Sequence, residues 1–484
     1  MPNKCYVANC SSREYPRYMK RLLVTQGLLV DTEWTRHADI LIEDGIIVRI
    51  APKIEVGEID GPVEIVRADG LAILPGIIDA HTHYHLVSRN TVTADSFAEG
   101  SRAAAYGGVT TVVDFADDDK KRSLLVNAKE RIAAMGKEMA IDFSLHQGIY
   151  SYRPSLKEEL LELKEAGVKV IKLFTTYKNV GYMIEKEEEL KKIFAICKEL
   201  DLLVTIHAED DEVIQRAEKA YKGDYAPASH PILRPSEAEA VGIRTMGKIA
   251  LEVGIPIYIV HLSSKAGLEA VRDLRRQGLR VIVETTPHYL FLTNEKLDGD
   301  DGALWVMTPP LRDEEDRLAL QEALLNGEIQ VVATDHCAFT KEQKLSSKDS
   351  RTILPGIPGS EELLSLVYNF AAKSGRIGLQ QVVNLLSTAP AKAFGLYPRK
   401  GALRIGSDAD FVLFDPDHQW KIGDASIHSA SGYSAYAGMT VVGKALMTYL
   451  GGRLIMGDGV YLGLAGKGEF IPQHSVGRGK TVMH

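Results

Sequence analysis

Residues 73–83, ILPGIIDAHTH, form an apolar run that ends in two histidines, His81 and His83. Side chains alternate across a β-strand, so two histidines that are two positions apart point to the same face and can bind one metal ion. A single histidine at the end of a strand is more often a hydrogen-bonded core or surface residue than a ligand. The motif therefore indicates a metal site only if other strands bring similar residues to the same place.

Seven further apolar runs follow the first one along the chain. Charged stretches with helical periodicity, such as residues 185–200 and 235–253, lie between them, and this alternation is typical of parallel βαβ units. The runs are VTTVVDF, IDFSLHQGI, VKVIKLF, LLVTIHA, IPIYIVHLS, LRVIVETTP and IQVVATDH. Eight strands in this pattern predict an α/β fold with a (β/α)8 TIM barrel.

The two ends of the chain have a different texture. Before residue 69 and after Gly401, short apolar runs are separated by turn signals, among them Asp44-Gly45, a pair that favours a β-hairpin. We therefore predict a small β-sandwich domain with antiparallel pairing, formed by both ends of the chain. The predicted domains are residues 1–21 as an N-terminal extension, 22–70 plus 401–470 as the β-sandwich, 71–400 as the catalytic barrel and 471–484 as a C-terminal tail.

Composition narrows the classes of function. Of the 484 residues, 45% are hydrophobic and 25% are charged, as in ordinary globular proteins, and the net charge of −8 argues against a nucleic-acid binder. We expect a small-molecule substrate instead. The four cysteines do not form a disulfide framework, which favours a reducing cytoplasm. The apolar residues 22–24 are too few for a signal sequence or a membrane span, so no membrane partner is expected.

Polar residues end five of the eight apolar runs. Catalytic residues of such barrels lie at the carboxyl ends of the strands, so these side chains should meet at one mouth. Four histidines, one lysine and one aspartate in this arrangement predict a metal centre. The candidate ligands are His81, His83, Lys172, His207, His261 and Asp335.

Lys172 lies in the apolar run VKVIKLF, where a bare ammonium group would be costly to bury. One interpretation is a salt bridge to a carboxylate in the mouth. The other is that a lowered pKa gives a neutral amine that adds CO2, forming a carbamate that bridges two cations. Together with Asp335, the carbamate would offset the charge of the two cations.

Two neighbouring divalent cations acidify a shared water and polarise a carbonyl group, which is the chemistry that amide hydrolysis needs. Asp335 is close enough to such a water to accept its proton and pass it to the leaving nitrogen. Tyr177, in the loop FTTYK, offers a phenol that can stabilise the developing oxyanion. The same tyrosine could also be an aromatic residue that packs on its neighbours.

Six motifs, in chain order, are similar to those of the dihydropyrimidinase and D-hydantoinase family within the amidohydrolase superfamily. They are DAHTH, IKLFTTYK, TIHAED, YIVHLSS, MTPPLR and VATDHC, and the resemblance extends from about residue 22 to about residue 470. It implies a homotetramer with two divalent cations per chain. Zinc is the expected metal, while manganese or cobalt would also suit the donors. The implied ligands are His81, His83, Lys172 and Asp335 for the more buried ion and Lys172, His207 and His261 for the other, with N6-carboxylated Lys172 as the bridge.

The resemblance also implies substrate contacts. Tyr177 would contact the substrate carbonyl, and Thr308, in MTPPLR, replaces the usual serine beside the ring amide and keeps its hydroxyl. Pro355, in ILPGIPGSEEL, replaces the usual asparagine. If the family uses the backbone carbonyl there, proline keeps the contact; if it uses the asparagine side chain, the preferred ring would differ.

The implied function is metal-dependent opening of dihydropyrimidine or hydantoin rings to N-carbamoyl amino acids, by attack of a metal-held hydroxide on the ring carbonyl. Two alternatives are an allantoinase and a non-catalytic scaffold protein related to dihydropyrimidinase. The FTTYK loop argues against the first, and the complete ligand set argues against the second.

Overall fold

The computed structural model describes residues 21–88 and 91–474. The predicted N-terminal extension lies outside these residues except for Arg21, as do Cys5 and Cys10. None of the helices in the described part is both long and apolar enough to cross a membrane. The helices are α1 (Phe97–Tyr106), α2 (Leu124–Glu138), α3 (Leu156–Glu165), α4 (Glu187–Leu200), α5 (Asp211–Ala220), α6 (His230–Leu233), α7 (Ser236–Val253), α8 (Lys265–Arg276), α9 (Pro287–Phe291), α10 (Glu314–Leu325), α11 (Lys341–Leu345), α12 (Leu363–Ser374), α13 (Leu379–Val383) and α14 (Ala389–Ala393).

A parallel barrel forms the centre of the molecule. Within the described residues it has eight strands, which pair in chain order from the first to the last. Every apolar run that the sequence analysis assigned to the barrel contributes one strand, so the predicted fold class is confirmed. The strands are β6 (Ile77–Asp79), β9 (Val109–Ala116), β10 (Asp142–Gly148), β11 (Val170–Phe174), β12 (Leu203–His207), β13 (Ile257–Ile259), β14 (Val281–Thr285) and β15 (Val331–Val332).

The barrel closes between its first and last strands at the mouth. The ladder ends before the two strands meet, and an isolated parallel bridge pairs Thr82 with His336. Just below it, the carboxylate of Asp79 accepts hydrogen bonds from the backbone N–H of Thr334, at 3.0 Å, and from its hydroxyl, at 2.6 Å. Closure therefore fixes the positions of the residues on either side of it, His81, His83 and Asp335.

The lower part of the barrel interior is apolar. Inward side chains of successive strands, such as Ile78, Val113 and Val170, form one buried cluster, and Phe394, next to α14, packs into it. Such layers fill a small barrel completely, so there is no pore. The polar residues of the candidate site lie instead at the carboxyl ends of the strands.

The second large sheet joins the two ends of the chain. Its pairing is antiparallel except at β1, which runs parallel to β4 and β5, a departure from the purely antiparallel pairing expected. Asp44 and Gly45 form the predicted turn, both with positive φ. In the described residues its strands are β1 (Arg21–Val30), β2 (Thr35–Glu43), β3 (Ile46–Ala51), β4 (Glu64–Arg67), β5 (Ala72–Pro75), β16 (Phe411–Lys421), β17 (Thr440–Leu450), β18 (Arg453–Gly457) and β19 (Val460–Tyr461), while β7 (Val87–Ser88) and β8 (Thr91–Val92) form a separate hairpin.

A buried ionic cluster joins this sheet to the barrel. The ammonium group of Lys400 binds Asp142, at the start of β10, and lies 2.6 Å from a carboxylate oxygen of Asp410 and 2.9 Å from one of Asp408. The three carboxylates are close enough together to hold a metal ion, but the lysine already supplies the positive charge. We therefore regard this cluster as structural.

Candidate metal centre and active site

The structure brings the four predicted histidines together at the mouth of the barrel. Ring centroids are 5.2 Å apart for His81 and His83, 5.4 Å for His81 and His261, and 4.6 Å for His207 and His261. These residues are separated by up to 180 positions in sequence, and each lies at or just after the end of its strand. They form one continuous cluster.

Asp335 joins the cluster from the last strand. Its Oδ1 atom lies 3.2 Å from Nε2 of His81 and 3.1 Å from Nε2 of His83. Donor atoms of His81, His261 and Asp335 all lie within 4.8 Å of one another. Convergence of imidazole nitrogens and a carboxylate oxygen on one point is a donor set suited to a divalent transition metal.

Buried carboxylates fix the orientation of two of the histidines. Nδ1 of His81 lies 2.8 Å from Glu284, and Nε2 of His207 lies 2.8 Å from Glu209. In each ring, this contact leaves the other nitrogen for a ligand, as is common for metal-binding histidines. Nδ1 of His261 is buried and has no hydrogen-bond partner among the described residues. The cluster thus contains a buried nitrogen, Nδ1 of His261, that no group among the described residues satisfies.

The protonation states also fit metal binding. Burial lowers the pKa of His81 and of His261 well below the ordinary value, and it lowers the pKa of His207 as well. A histidine must be neutral to bind a metal ion, because a protonated ring has no free lone pair. The three rings are therefore in the competent form at neutral pH.

Lys172 is almost fully buried within the same cluster. Burial lowers the pKa of Lys172 to about 8, although the charges of Asp335 and Glu284 raise it. Its Nζ atom lies 5.3 Å from the ring centroids of Phe115 and Phe174, so apolar rings flank the amine. A pKa near 8 gives an appreciable fraction of neutral amine at neutral pH.

Tyr177 and Thr308 meet beside this cluster. The tyrosine ring lies 5.3 Å from that of His207, and its hydroxyl is hydrogen-bonded to the side chain of Thr308. Burial raises the pKa of Tyr177 to about 12, so the phenol remains a hydrogen-bond donor. In the described part of the chain, no hydrogen bond or ring contact joins Pro355 to these residues. Its neighbours Leu354 and Gly356 instead bind Lys344 through their carbonyl groups.

The backbone is strained at three candidate residues. Tyr177, His261 and Asp335 have φ angles of 66°, 38° and 49°. Positive φ is uncommon for residues with a side chain and costs roughly 1–3 kcal/mol at such positions. Strain of this kind persists where the surrounding structure holds a residue in a fixed direction, and here it occurs in the segments that follow three separate strands.

Several polar residues of the site were missed by the sequence analysis. Glu209 lies only two positions after His207, and Arg234 binds it at 2.7 Å. Glu284 lies inside the buried strand β14, and His288 follows that strand. An acidic residue within an otherwise apolar strand is a signal that could have identified Glu284, whereas the role of Arg234 is visible only in three dimensions.

Comparison with known proteins places these features in a family. The family model described as the amidohydrolase family matches residues 72–455. A D-hydantoinase from Ralstonia pickettii is 37% identical over 457 residues, which cover 93% of this chain and 98% of that protein. A D-phenylhydantoinase from Escherichia coli is 35% identical over the same shares of the two chains. The crystal structure of a dihydropyrimidinase from Brevibacillus agri matches with a TM-score of 0.90 and 32% identity, covering 95% of this chain and 100% of that one. The chain therefore belongs to the amidohydrolase family, in the group that contains the hydantoinases and dihydropyrimidinases.

Proposed function

We propose that this chain hydrolyses cyclic amides and opens hydantoin or dihydropyrimidine rings to N-carbamoyl amino acids. The observation that carries the proposal is the convergence of His81, His83, His261 and Asp335 at the barrel mouth, next to His207. The relatives named D-hydantoinase, D-phenylhydantoinase and dihydropyrimidinase support it.

The donor set fits a pair of divalent cations. Such cations would make a water more acidic and polarise the ring carbonyl. Histidine and carboxylate donors favour zinc, and manganese or cobalt would be accepted by the same groups. We assign His81, His83, Lys172 and Asp335 to one ion and Lys172, His207 and His261 to the other.

In this proposal Lys172 carries a carboxyl group on Nζ. The neutral amine adds to CO2, a C–N bond forms and one proton leaves, which gives an anionic carbamate that both ions can share. The buried position of Lys172 and its pKa of about 8 favour the neutral amine that this addition requires. The new negative charge would help Asp335 to balance two divalent ions.

Three side chains have roles in the reaction itself. Asp335 accepts a proton from the attacking water and delivers it to the ring nitrogen as the C–N bond breaks. Tyr177 donates a hydrogen bond to the carbonyl oxygen while that oxygen gains charge, and its high pKa keeps the donor proton in place. Thr308 lies beside the phenol and can hold the ring amide, and we assign Pro355 to the same substrate-binding region.

A substrate panel with metal analysis tests the proposal. Purified chain is assayed with 5-substituted hydantoins, dihydropyrimidines and allantoin, and its metal content is measured. We expect bound divalent metal and N-carbamoyl amino acid products. His261→Asn should lose metal and activity together, whereas His37→Asn, at an exposed position of β2, should keep both. Chain that binds no metal and opens no ring would contradict the proposal, and preferential turnover of allantoin would make it an allantoinase.

A further inference from the structure

We propose that His288 binds the ring substrate through a hydrogen bond to its imide edge. This inference rests on the proposed function. His288 lies in the short helix α9, three residues after the end of β14, and is 1% exposed. It is not one of the candidate metal ligands, and the reaction as described above does not use it.

Both ring nitrogens of His288 are buried without a hydrogen-bond partner in the described part of the chain. No other histidine there has both nitrogens in this state. Buried polar groups in folded proteins are nearly always paired, because an unpaired group loses its hydrogen bonds to water and gains nothing in return. The exception suggests a partner that is not part of the chain.

The position of β14 places His288 next to the site. This strand lies between β13, which leads to His261, and β15, which leads to Asp335. The backbone N–H of Ala333 binds the carbonyl of Thr285 at 3.1 Å, so the ends of β14 and β15 remain side by side. The charge of Asp335 raises the pKa of His288, and His288 lowers that of His261.

The residue after His288 connects this helix to the candidate substrate-binding residues. The rings of His288 and Tyr289 are 4.3 Å apart, and the hydroxyl of Tyr289 donates a hydrogen bond to the carbonyl of Pro309 at 2.5 Å. Pro309 follows Thr308 directly. The helix that carries the unpaired ring is therefore anchored to the loop proposed to hold the ring amide.

The chemistry of a neutral imidazole matches that of the substrate. Burial lowers the pKa of His288 to about 4, so at neutral pH the ring has one N–H donor and one nitrogen acceptor. A hydantoin or dihydropyrimidine presents a carbonyl acceptor next to an imide N–H donor. Six side chains already serve the proposed metal pair, and His288 is not one of them, so it would act on the ring together with Tyr177 and Thr308.

Two substitutions test this role. His288→Leu removes both hydrogen-bonding atoms, and His288→Phe does the same while keeping a ring. We expect each to raise KM for a hydantoin or for dihydrouracil at least tenfold, with a smaller change in kcat and unchanged metal content. His288→Gln, which keeps a donor and an acceptor, should restore much of the loss. His37→Leu, at an exposed position of β2, serves as the control.

Methylation of the substrate supplies a second measurement that also works on the native chain. N-methylation of the imide should raise KM for the native chain. It should raise KM less for His288→Leu or His288→Phe, because these variants have already lost the hydrogen bond. Three results would overturn the inference while leaving ring opening intact. They are a KM within twofold of native in the folded variants, an equal rise in KM on methylation for native chain and variants, and loss of metal from the variants. A native chain that opens no ring would overturn the proposed function as well.

Discussion

Nδ1 of His81 lies 2.8 Å from Oε1 of Glu284, and both side chains are almost completely buried. The same carboxylate oxygen accepts the backbone N–H of His261 at 3.1 Å, while the other oxygen accepts the hydroxyl of Tyr258 at 2.7 Å. One buried acid therefore positions two candidate ligands that come from different strands. Such outer groups set the tautomer and direction of a metal-binding imidazole.

Glu284→Gln should weaken metal binding while leaving the fold intact. The amide keeps the size of the side chain but replaces one acceptor oxygen with an NH2 group, which disturbs the contacts to Nδ1 of His81, the N–H of His261 and the hydroxyl of Tyr258. Substitutions of this kind typically cost about 10–100-fold in metal affinity. Competition with a chelator measures the affinity. Glu158→Gln, an exposed position on α3, is the matched control. Equal affinities for the two variants would show that Glu284 does not orient the ligands.

Lys172→Ala should remove metal and activity together, because it deletes the proposed bridging carbamate. Short carboxylic acids such as acetate or propionate should restore part of both, since they can supply a carboxylate to the space that the side chain leaves. Metal analysis and a ring-opening assay, each with and without the acid, make the measurement.

Lys157→Ala provides the control, since this lysine forms an exposed salt bridge with Glu199 and is not part of the mouth. A Lys172→Ala variant that kept native metal content and native activity would rule out the bridging role. If Lys172→Ala lost metal and activity and carboxylic acids restored neither, the lysine would act as a ligand or a structural group. That result would contradict the proposal that it carries a carbamate.

The barrel and its ligands could be predicted from sequence because both depend on local patterns. Each strand is a short apolar run, and the polar residue that ends it can be read directly from the chain. Strand length was less predictable: β15 pairs over only two residues, Val331–Val332, because the chain then turns towards the mouth and places Asp335 at a positive φ.

Contacts between distant segments could not be predicted in the same way. Glu284 and His81 are 203 positions apart, and nothing in either segment identifies the other as its partner. The parallel pairing of β1 with β4 and β5 depends in a similar way on how the chain returns across the sheet. Such relationships follow from the closed geometry of the fold, which residue periodicity does not encode.

Lys344→Met should destabilise the protein and weaken substrate binding. The ammonium of Lys344 is fully buried and donates to the carbonyls of Val306, Leu354 and Gly356 at 2.6, 2.7 and 3.0 Å. Methionine fills similar space but donates to none of them. The carbonyl of Val306 would keep the backbone N–H of Gly356, at 3.0 Å, whereas those of Leu354 and Gly356 would lose this donor, which should cost on the order of 3 kcal/mol. Urea unfolding measures the decrease in the free energy of unfolding.

The three carbonyls also belong to the segments that carry Thr308 and Pro355, so KM should rise as well. Lys341→Met is the control, because this lysine lies on the same helix, α11, with a side chain that is 41% exposed. If the two variants were equally stable and had the same KM, the buried lysine would not be a positioning residue.

Glu362 should make the protein less stable as pH rises from about 5 to about 8. Burial raises the pKa of Glu362 to about 7 from an ordinary value of 4.5, and the nearby charge of Glu361 raises it too, although the hydroxyl of Ser434 donates to the carboxyl group at 2.6 Å. Between the two pKa values the folded chain binds more protons than the unfolded chain, so the free energy of unfolding falls with pH. The stabilisation is fully present below the unfolded pKa, is lost as pH passes through 7, and amounts to about 2 kcal/mol between pH 5 and pH 8.

Glu362→Gln should remove this part of the pH dependence, whereas Glu165→Gln, at an exposed position, should keep it. Urea unfolding at several pH values measures both, and parallel pH profiles for the native chain and Glu362→Gln would show that this carboxyl is ionised throughout the range.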